Sequence, residues 1–228
     1  MSNPSSFILS IETTTKNCSV ALFKNEELII CKEIATEGFS HAEKLHVFIE
    51  EIIAETQIQF KQLSAIAVSS GPGSYTGLRI GVSAAKGLAY ALNIPLISID
   101  TLTALAHQVT ATDGLIIPML DARRMEVYSA IFDTNKNKIR KTEAQILDEN
   151  SFSNLDKKVY FIGDASVKAK EILKNSNFFF LNDLQYPSAK SMGRLAYEKF
   201  LIQEFEDVAY YEPFYLKDFL IVSKKDKA

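Results

Sequence analysis

The sequence predicts an α/β protein built from two related lobes. Three observations lead there. The order strand-strand-strand-helix-strand-helix fills the first half of the chain and returns, worn down, in the second. Strand patterns that alternate with helical ones point to mixed sheets flanked by helices. The chain has 228 residues, and a domain takes roughly 100–200, so one large unit or two small ones fit. No sequence identity supports the repeat; the order of elements alone carries it. The boundary is placed near residues 105–114, giving a first lobe over 1–110 and a second over 111–228 with a C-terminal helix and tail.

The elements follow from local pattern. Phe7 to Glu12 reads as a strand. After the polar turn Thr13-Thr14-Thr15-Lys16-Asn17, Cys18 to Phe23 alternates as a second, and Leu28 to Ile34 is a third. Ser40 is placed as a helix cap with Glu43 as its capping-box partner. Ala42, Leu45, Phe48, Ile49, Ile52 and Ile53 then recur at helical spacing, with Glu50, Glu51 and Glu55 opposite. Leu63 to Ser69 is a buried strand, Thr76 to Leu92 a helix and Pro95 to Ile99 a short strand, apolar enough for a central parallel position. Asp100 or Thr101 starts a helix expected to end near Asp113-Gly114. Strands are then expected over Leu115–Leu120, Glu126–Phe132, Ile139–Ile146, Val159–Ile162 and Phe178–Leu181, with helices over Ala165–Asn175 and Ser188–Phe205.

Composition narrows the function. Apolar residues make up 47% and charged residues 23%, ordinary soluble usage, which removes disordered and collagen-like classes. The net charge of −3 argues against a chain that captures nucleic acid alone, because phosphate neutralisation needs basic excess. Three histidines (His41, His46, His107) and two cysteines (Cys18, Cys31) leave few ways to build a metal site. Residues 1–7 show no signal-peptide pattern, and nowhere do ~18 apolar residues run together. A cytosolic protein with reduced, buried thiols is expected.

Gly71-Pro72-Gly73-Ser74-Tyr75-Thr76-Gly77 joins a strand to a helix, where backbone amides can hold an anion. Three readings compete. A P-loop needs a Gly-Lys-Ser/Thr end, and here Leu78-Arg79 follows Gly77. A dinucleotide fingerprint needs GxGxxG, and this is one residue longer, although Asp100 ends the next strand as that fold requires. The third reading is a tight turn with glycines at positive φ. The helix that follows carries Gly77, Gly81, Ala84, Ala85 and Gly87, so something approaches it closely: its own core or another chain. Arg79, Ser83, Lys86 and Tyr90 form a polar stripe along it.

Catalytic patterns fail. His41 and His46 are five apart, about 140° around a helix, whereas HExxH places its ligands four apart on one face. GxSxG is absent. His41 is expected at a helix start and His46 half-buried. Asp121, Glu126 and Asp164 sit near turns, as caps commonly do. Arg123-Arg124 either binds an anion or stays solvated.

Three segments together resemble the TsaB (YeaZ) family: Ile8-Leu9-Ser10-Ile11-Glu12-Thr13-Thr14, Ser69 through Gly81 with its glycine turn, and Leu120-Asp121-Ala122-Arg123-Arg124-Met125-Glu126-Val127-Tyr128. His41-Ala42-Glu43-Lys44-Leu45 also looks like that family's helix start. The resemblance spans Phe7 to about Gly163, then continues more weakly.

It implies an actin-like, Hsp70-type fold (ASKHA, RNase H-like) with mixed sheets and flanking helices. It implies a role in forming threonylcarbamoyladenosine at position 37 of tRNAs that read ANN codons. In that pathway the catalytic paralogue TsaD holds the metal and the adenylated donor, TsaB pairs with it, and the ATPase TsaE joins. The chain departs from the catalytic paralogue. The HxxxH metal pair is reduced to His41 with Leu45 four residues on. Glu12 stands where many ATPases of this fold have Asp, and Ala165 replaces a glycine in Gly163-Asp164-Ala165-Ser166. The resemblance therefore implies a non-catalytic subunit without catalytic, cofactor or metal residues of its own, with ADP or ATP at most at the heterodimer junction and tRNA met only indirectly.

The partner face carried over from the family comprises His41, Leu45, Phe48, Tyr75, Arg79, Val82, Ser83 and Lys86, and the same face closes a homodimer when the chain is alone. Two other classes stand as alternatives. One is a stand-alone enzyme of this fold, a metal-dependent glycoprotease-like hydrolase or a kinase. The other is a dehydrogenase built on the glycine turn. The tail after Asp207, with Lys217, Lys224, Lys225 and Lys227, is expected to fray into solvent.

Overall fold

The chain opens on an antiparallel meander. In this computed structural model, which describes residues 5–36 and 41–217, it comprises Phe7–Glu12 (β1), Asn17–Lys24 (β2) and Glu27–Ala35 (β3). Asn25 turns the second strand into the third at φ 59°, a left-handed conformation that asparagine tolerates. Helix His41–Thr56 (α1) then leads to Leu63–Gly71 (β4), parallel to β1, and Tyr75–Leu92 (α2) leads to Leu96–Asp100 (β5), parallel to β4. The cap assigned to Ser40 lies outside the described residues.

Strand β2 does not alternate as its sequence suggests. It is buried through Phe23 on both faces because elements cover both sides of this sheet. On one side, Leu45, Ile49 and Ile52 of α1 and Val82, Ala85 and Ala89 of α2 meet Leu9, Ile11, Val20 and Leu22. On the other, Ile8, Phe23, Ala67 and Ile97 meet Ala189, Met192 and Ala196 from the end of the chain. Each large apolar side chain so buried contributes about 1.5–3 kcal/mol.

The Asp100 side chain caps Thr101–Ala106 (α3), accepting from the Thr103 amide at 2.7 Å. The helix ends at Ala106, well short of Asp113-Gly114. Val109, Thr110 and Thr112 are β-branched and disfavour helix, and Gly114 turns the chain at φ 89°.

The second sheet contains Leu115–Asp121 (β6), Glu126–Asp133 (β7), Lys138–Ile146 (β8), Val159–Ile162 (β9) and Phe178–Phe180 (β10). The first sheet runs β3-β2-β1-β4-β5, and the second, read from its β8 edge, runs β8-β7-β6-β9-β10. The same third-second-first-fourth-fifth order, with the same parallel and antiparallel senses, repeats the topology. The counterpart of α1 is missing: residues 147–158 form turns instead. Helix Ser166–Ile172 (α4) packs Ala169 over Ile117, Met119 and Phe161.

The last helix is shorter than its pattern. A 3-10 turn over Ala189–Ser191 precedes Gly193–Leu201 (α5), and Gln203, at φ 58°, ends the helical run. Gly193 lies directly on the Phe23 ring, where a Cβ would collide. Helix α5 thus covers the first sheet, while Leu102, Leu105 and Ala106 of α3 pack on Ile116, Leu120 and Phe132 of the second. Each half lends its last helix to the other half's sheet. This is the actin-like two-lobed α/β architecture. Among the described residues, no helix is long and apolar enough to cross a membrane.

Candidate partner face and the glycine turn

The β1–β2 turn and the glycine turn are pressed together. Thr13 Oγ1 donates to the Gly77 carbonyl at 2.7 Å. A Cβ at Gly77 would strike the Thr13 carbonyl, one at Gly81 the Thr13 hydroxyl, and one at Gly73 would stand 2.5 Å from the Thr14 carbonyl. Close approach, rather than positive φ, therefore explains these three glycines. In the turn only Gly71 has positive φ, at 111°. Gly87, further along α2, meets nothing within 4 Å.

Four of the amides in and just after the turn are engaged within the protein. Gly71 donates to Thr101 Oγ1 at 3.1 Å, Ser74 to the Thr14 carbonyl at 2.7 Å, Gly77 to Ser74 Oγ at 3.3 Å and Leu78 to the Ser74 carbonyl at 2.8 Å. Pro72 follows a cis bond and has no amide hydrogen. A phosphate cradle needs several such donors free and convergent, and here Gly71, Ser74 and Gly77 are spent on Thr101, Thr14 and Ser74. Gly163-Asp164-Ala165-Ser166 is similar: Gly163 donates to the Leu184 carbonyl at 2.8 Å and Ser166 to the Gly163 carbonyl at 3.0 Å.

Glu12, at the end of β1, is fully buried. Its carboxylate accepts from the Thr14 amide at 2.5 Å, from Thr14 Oγ1 at 2.6 Å and from the Ser69 hydroxyl. Burial pushes its pKa up, and those three donors pull against the rise. Its oxygens serve the protein's own turn. Asp164 accepts from the Asp121 amide at 2.8 Å. Burial pushes Asp164 up to about 6, and the Asp121 charge adds to the rise. Lys168 pins the turn between β6 and β7 by donating to Asp121 and to the Arg124 and Glu126 carbonyls, the last two at 2.7 Å. Arg123 and Arg124 are exposed there, at φ 73° and 52°.

His41 starts α1 as expected, whereas His46 is not half-buried. His41 is buried, and its Nε2 donates to the Thr15 carbonyl at 2.7 Å, while His46 is exposed. The helix phase puts His41 on the same side as Leu45 and Ile49, facing the sheet. No group of three His, Cys, Asp and Glu side chains is placed to hold a metal ion among the described residues.

The residues expected at a partner face separate into two sets. His41, Leu45 and Val82 turn inward: Leu45 is fully buried and Val82 is 4% exposed, both in the core over the first sheet. They support the face from below and offer a partner almost no surface. Arg79 and Ser83 are exposed, and Phe48, Tyr75 and Lys86 are half-buried. The Arg79 guanidinium lies 5.4 Å from the Tyr75 ring centre. Tyr90 completes the stripe at 82% exposed.

Thr13, Ser69 and the chain after Leu201 carry structure that pattern reading missed. The tail is docked rather than frayed as far as Lys217: Phe214 donates to the Ser70 carbonyl at 2.7 Å, and the Tyr215 ring lies 5.0 Å from that of Tyr75. Its aromatic content was the available signal. Lys224, Lys225 and Lys227 fall outside the described residues.

Comparison with known proteins follows the same lines. The family model described as "TsaD: tRNA N6-adenosine threonylcarbamoyltransferase" matches residues 34–221. The chain is similar to the tRNA threonylcarbamoyladenosine biosynthesis protein TsaB of Buchnera aphidicola from Acyrthosiphon pisum, 32% identical over 200 residues that cover 82% of this chain and 87% of that protein. It is similar to the protein of that name in Escherichia coli, 28% identical over 220 residues that cover 92% of this chain and 94% of the other. The solved structure of YeaZ from Pseudomonas aeruginosa has the same fold, with a TM-score of 0.79 at 22% identity, covering 92% of this chain and all of that one.

Proposed function

Because this chain belongs to the TsaB (YeaZ) family, we propose that it is a non-catalytic subunit in forming N6-threonylcarbamoyladenosine in tRNA, one that pairs with and activates a TsaD threonylcarbamoyltransferase. The ATPase TsaE joins this pair, and alone the chain closes a homodimer through the same face.

One observation carries the reading. The glycine turn has its Gly71, Ser74, Gly77 and Leu78 amides engaged by Thr101, Thr14 and Ser74, while the helix it launches shows a stripe of Arg79, Ser83 and Tyr90 to the outside. Arginine and tyrosine at the centre of a contact patch are the residues that carry binding energy most often. Any ADP or ATP of the assembly is then held at the junction with the partner, and tRNA is held mainly by the other subunit, in keeping with the net charge of −3.

The test is Arg79→Glu combined with Ser83→Glu, two exposed positions whose change leaves the core intact. Val82→Glu is unsuitable, because it would bury a carboxylate over the first sheet and unfold the chain. The double variant is expected to weaken co-elution with TsaD by roughly tenfold or more while keeping its melting temperature. Undiminished co-elution would overturn the pairing face. Mass spectrometry of tRNA nucleosides after depletion tests the pathway itself, since an unchanged threonylcarbamoyladenosine level contradicts it.

A further inference from the structure

Among the described residues beyond α5 there is no further helix or named strand, yet every few residues the chain is tied to something else. The Glu206 amide donates to the Leu96 carbonyl at 2.9 Å, and the Glu206 carboxylate accepts from the Ser98 hydroxyl, which seats the segment on β5. The Asp207 carboxylate turns the chain by accepting from the Ala209 and Tyr210 amides at 2.8 and 3.2 Å. Lys86, in the middle of α2, donates to the carbonyls of Ala209 at 3.1 Å and Tyr211 at 2.9 Å. Val208 and Tyr211 pack against the core under α2. The Phe214 carbonyl fills the space that Gly71 leaves: a Cβ there would stand 2.6 Å from it. Tyr215 then lies on Tyr75, whose ring also carries the Arg79 guanidinium.

The last anchor is on the other lobe. Lys217 pairs with the Glu126 carboxylate at the start of β7. The Glu126 carbonyl is held by Lys168, so this residue is gripped from two directions. Next to it stand Arg123 and Arg124 with positive φ, backbone states that persist only where the surroundings hold them.

We propose that residues 206–217 are a coupling strap: they tie the outward stripe of α2 to the arginine-bearing hairpin of the second lobe, so that loosening either end loosens the other. The links run from Arg79 to Tyr75, from Tyr75 to Tyr215, along two residues to Lys217, and from there to Glu126. Coupling of this kind is reciprocal by thermodynamic necessity. It is a property of this chain alone and holds whether or not the pairing reading is correct.

The test is hydrogen exchange by mass spectrometry on the full chain. Glu126→Gln cuts the far anchor. It is expected to speed exchange in peptides covering residues 74–80 and 206–217 by roughly two- to fivefold, the range set by a partly exposed ion pair. Lys217→Ala removes the other half of the same pair and must reproduce that pattern. Tyr75→Ala cuts the near anchor and is expected to speed exchange in residues 121–128 by roughly two- to tenfold, the range set by an aromatic pair. Because each change severs the same series of contacts, Tyr75→Ala with Glu126→Gln should fall short of the sum of the two on a logarithmic scale. The proposal is overturned if each variant's effect stays within its own lobe, or if Lys217→Ala and Glu126→Gln differ in pattern. All three side chains lie at the surface or are half-buried, so the fold survives each substitution.

Discussion

The Thr13 hydroxyl donates to the Gly77 carbonyl at 2.7 Å, and this contact sets how deeply α2 sits on the first sheet. A helical carbonyl reaches a side chain on the facing turn only when nothing stands between them. Gly77 and Gly81 provide that gap.

Substituting these glycines should therefore oppose helix propensity. Alanine in a helix interior gains about 0.5–1 kcal/mol over glycine. At Gly77 and Gly81 the new Cβ strikes Thr13, and overpacking of this kind costs about 1–3 kcal/mol, so both variants should be less stable in denaturant titrations. Gly87→Ala, with open space around it, should instead gain about 0.5–1 kcal/mol. A stabilised Gly77→Ala would mean the contact is looser than described.

Ser69→Ala removes one of the three donors to Glu12. An unsatisfied buried acceptor costs about 1–3 kcal/mol, and equilibrium unfolding at neutral pH should show a loss in that range. The Glu12 pKa should rise further, because a donor that lowers it is gone. The loss should accordingly shrink in acid, where Glu12 is protonated.

Asp164 predicts a pH dependence of its own. Its folded pKa is pushed from 3.8 up to about 6, so the folded state favours the protonated carboxyl. The stability this group adds is present in full below about pH 4 and is lost as pH rises through 6. Asp164→Asn retains an acceptor for the Asp121 amide but has no charge to desolvate. It should be more stable than the parent at pH 8 by about 1–3 kcal/mol and no more stable at pH 4. An equal gain at both values would contradict the assignment.

Cys18 and Cys31 are free thiols, and burial pushes both up to about 11. Little thiolate exists at pH 8, so alkylation by iodoacetamide in the native protein should be roughly two orders of magnitude slower than for an ordinary cysteine. Rapid modification of Cys31, the more accessible thiol, would show that its cover over β3 opens.

The legible parts of the sequence were those where one signal dominates. The stretch from Tyr75 to Leu92 carries a polar stripe at helical spacing that outweighs its three glycines, and it forms within a residue of the expected limits. The repeated strand order survives as a repeated sheet order. Tertiary contacts decided the rest. The end of α3 at Ala106 is marked only weakly, by the β-branched Val109, Thr110 and Thr112, and the short helix packs Leu102, Leu105 and Ala106 on the second sheet. Leu45 and Val82 sit at helical spacing that suits either a partner or a core, and only the position of the first sheet assigns them to the core. The glycines of the turn signalled a tight place, but the neighbour responsible, Thr13, lies 64 residues earlier. The tail offered aromatics without periodicity, and its anchors on Lys86, Ser70 and Glu126 are visible only in three dimensions.

The exchange of closing helices between the lobes has a consequence for synthesis on the ribosome. The face of the first sheet carrying Ile8, Phe23 and Ile97 is covered by Met192 and Ala196, which emerge when most of the chain has already been made. Until then that apolar face is open, and growth at ~5–20 residues per second makes the interval several seconds or longer. Nascent chains halted after residue 110 should accordingly recruit chaperones, whereas chains released beyond Leu201 should not. The two lobes are alike in topology, yet the first cannot mature ahead of the second.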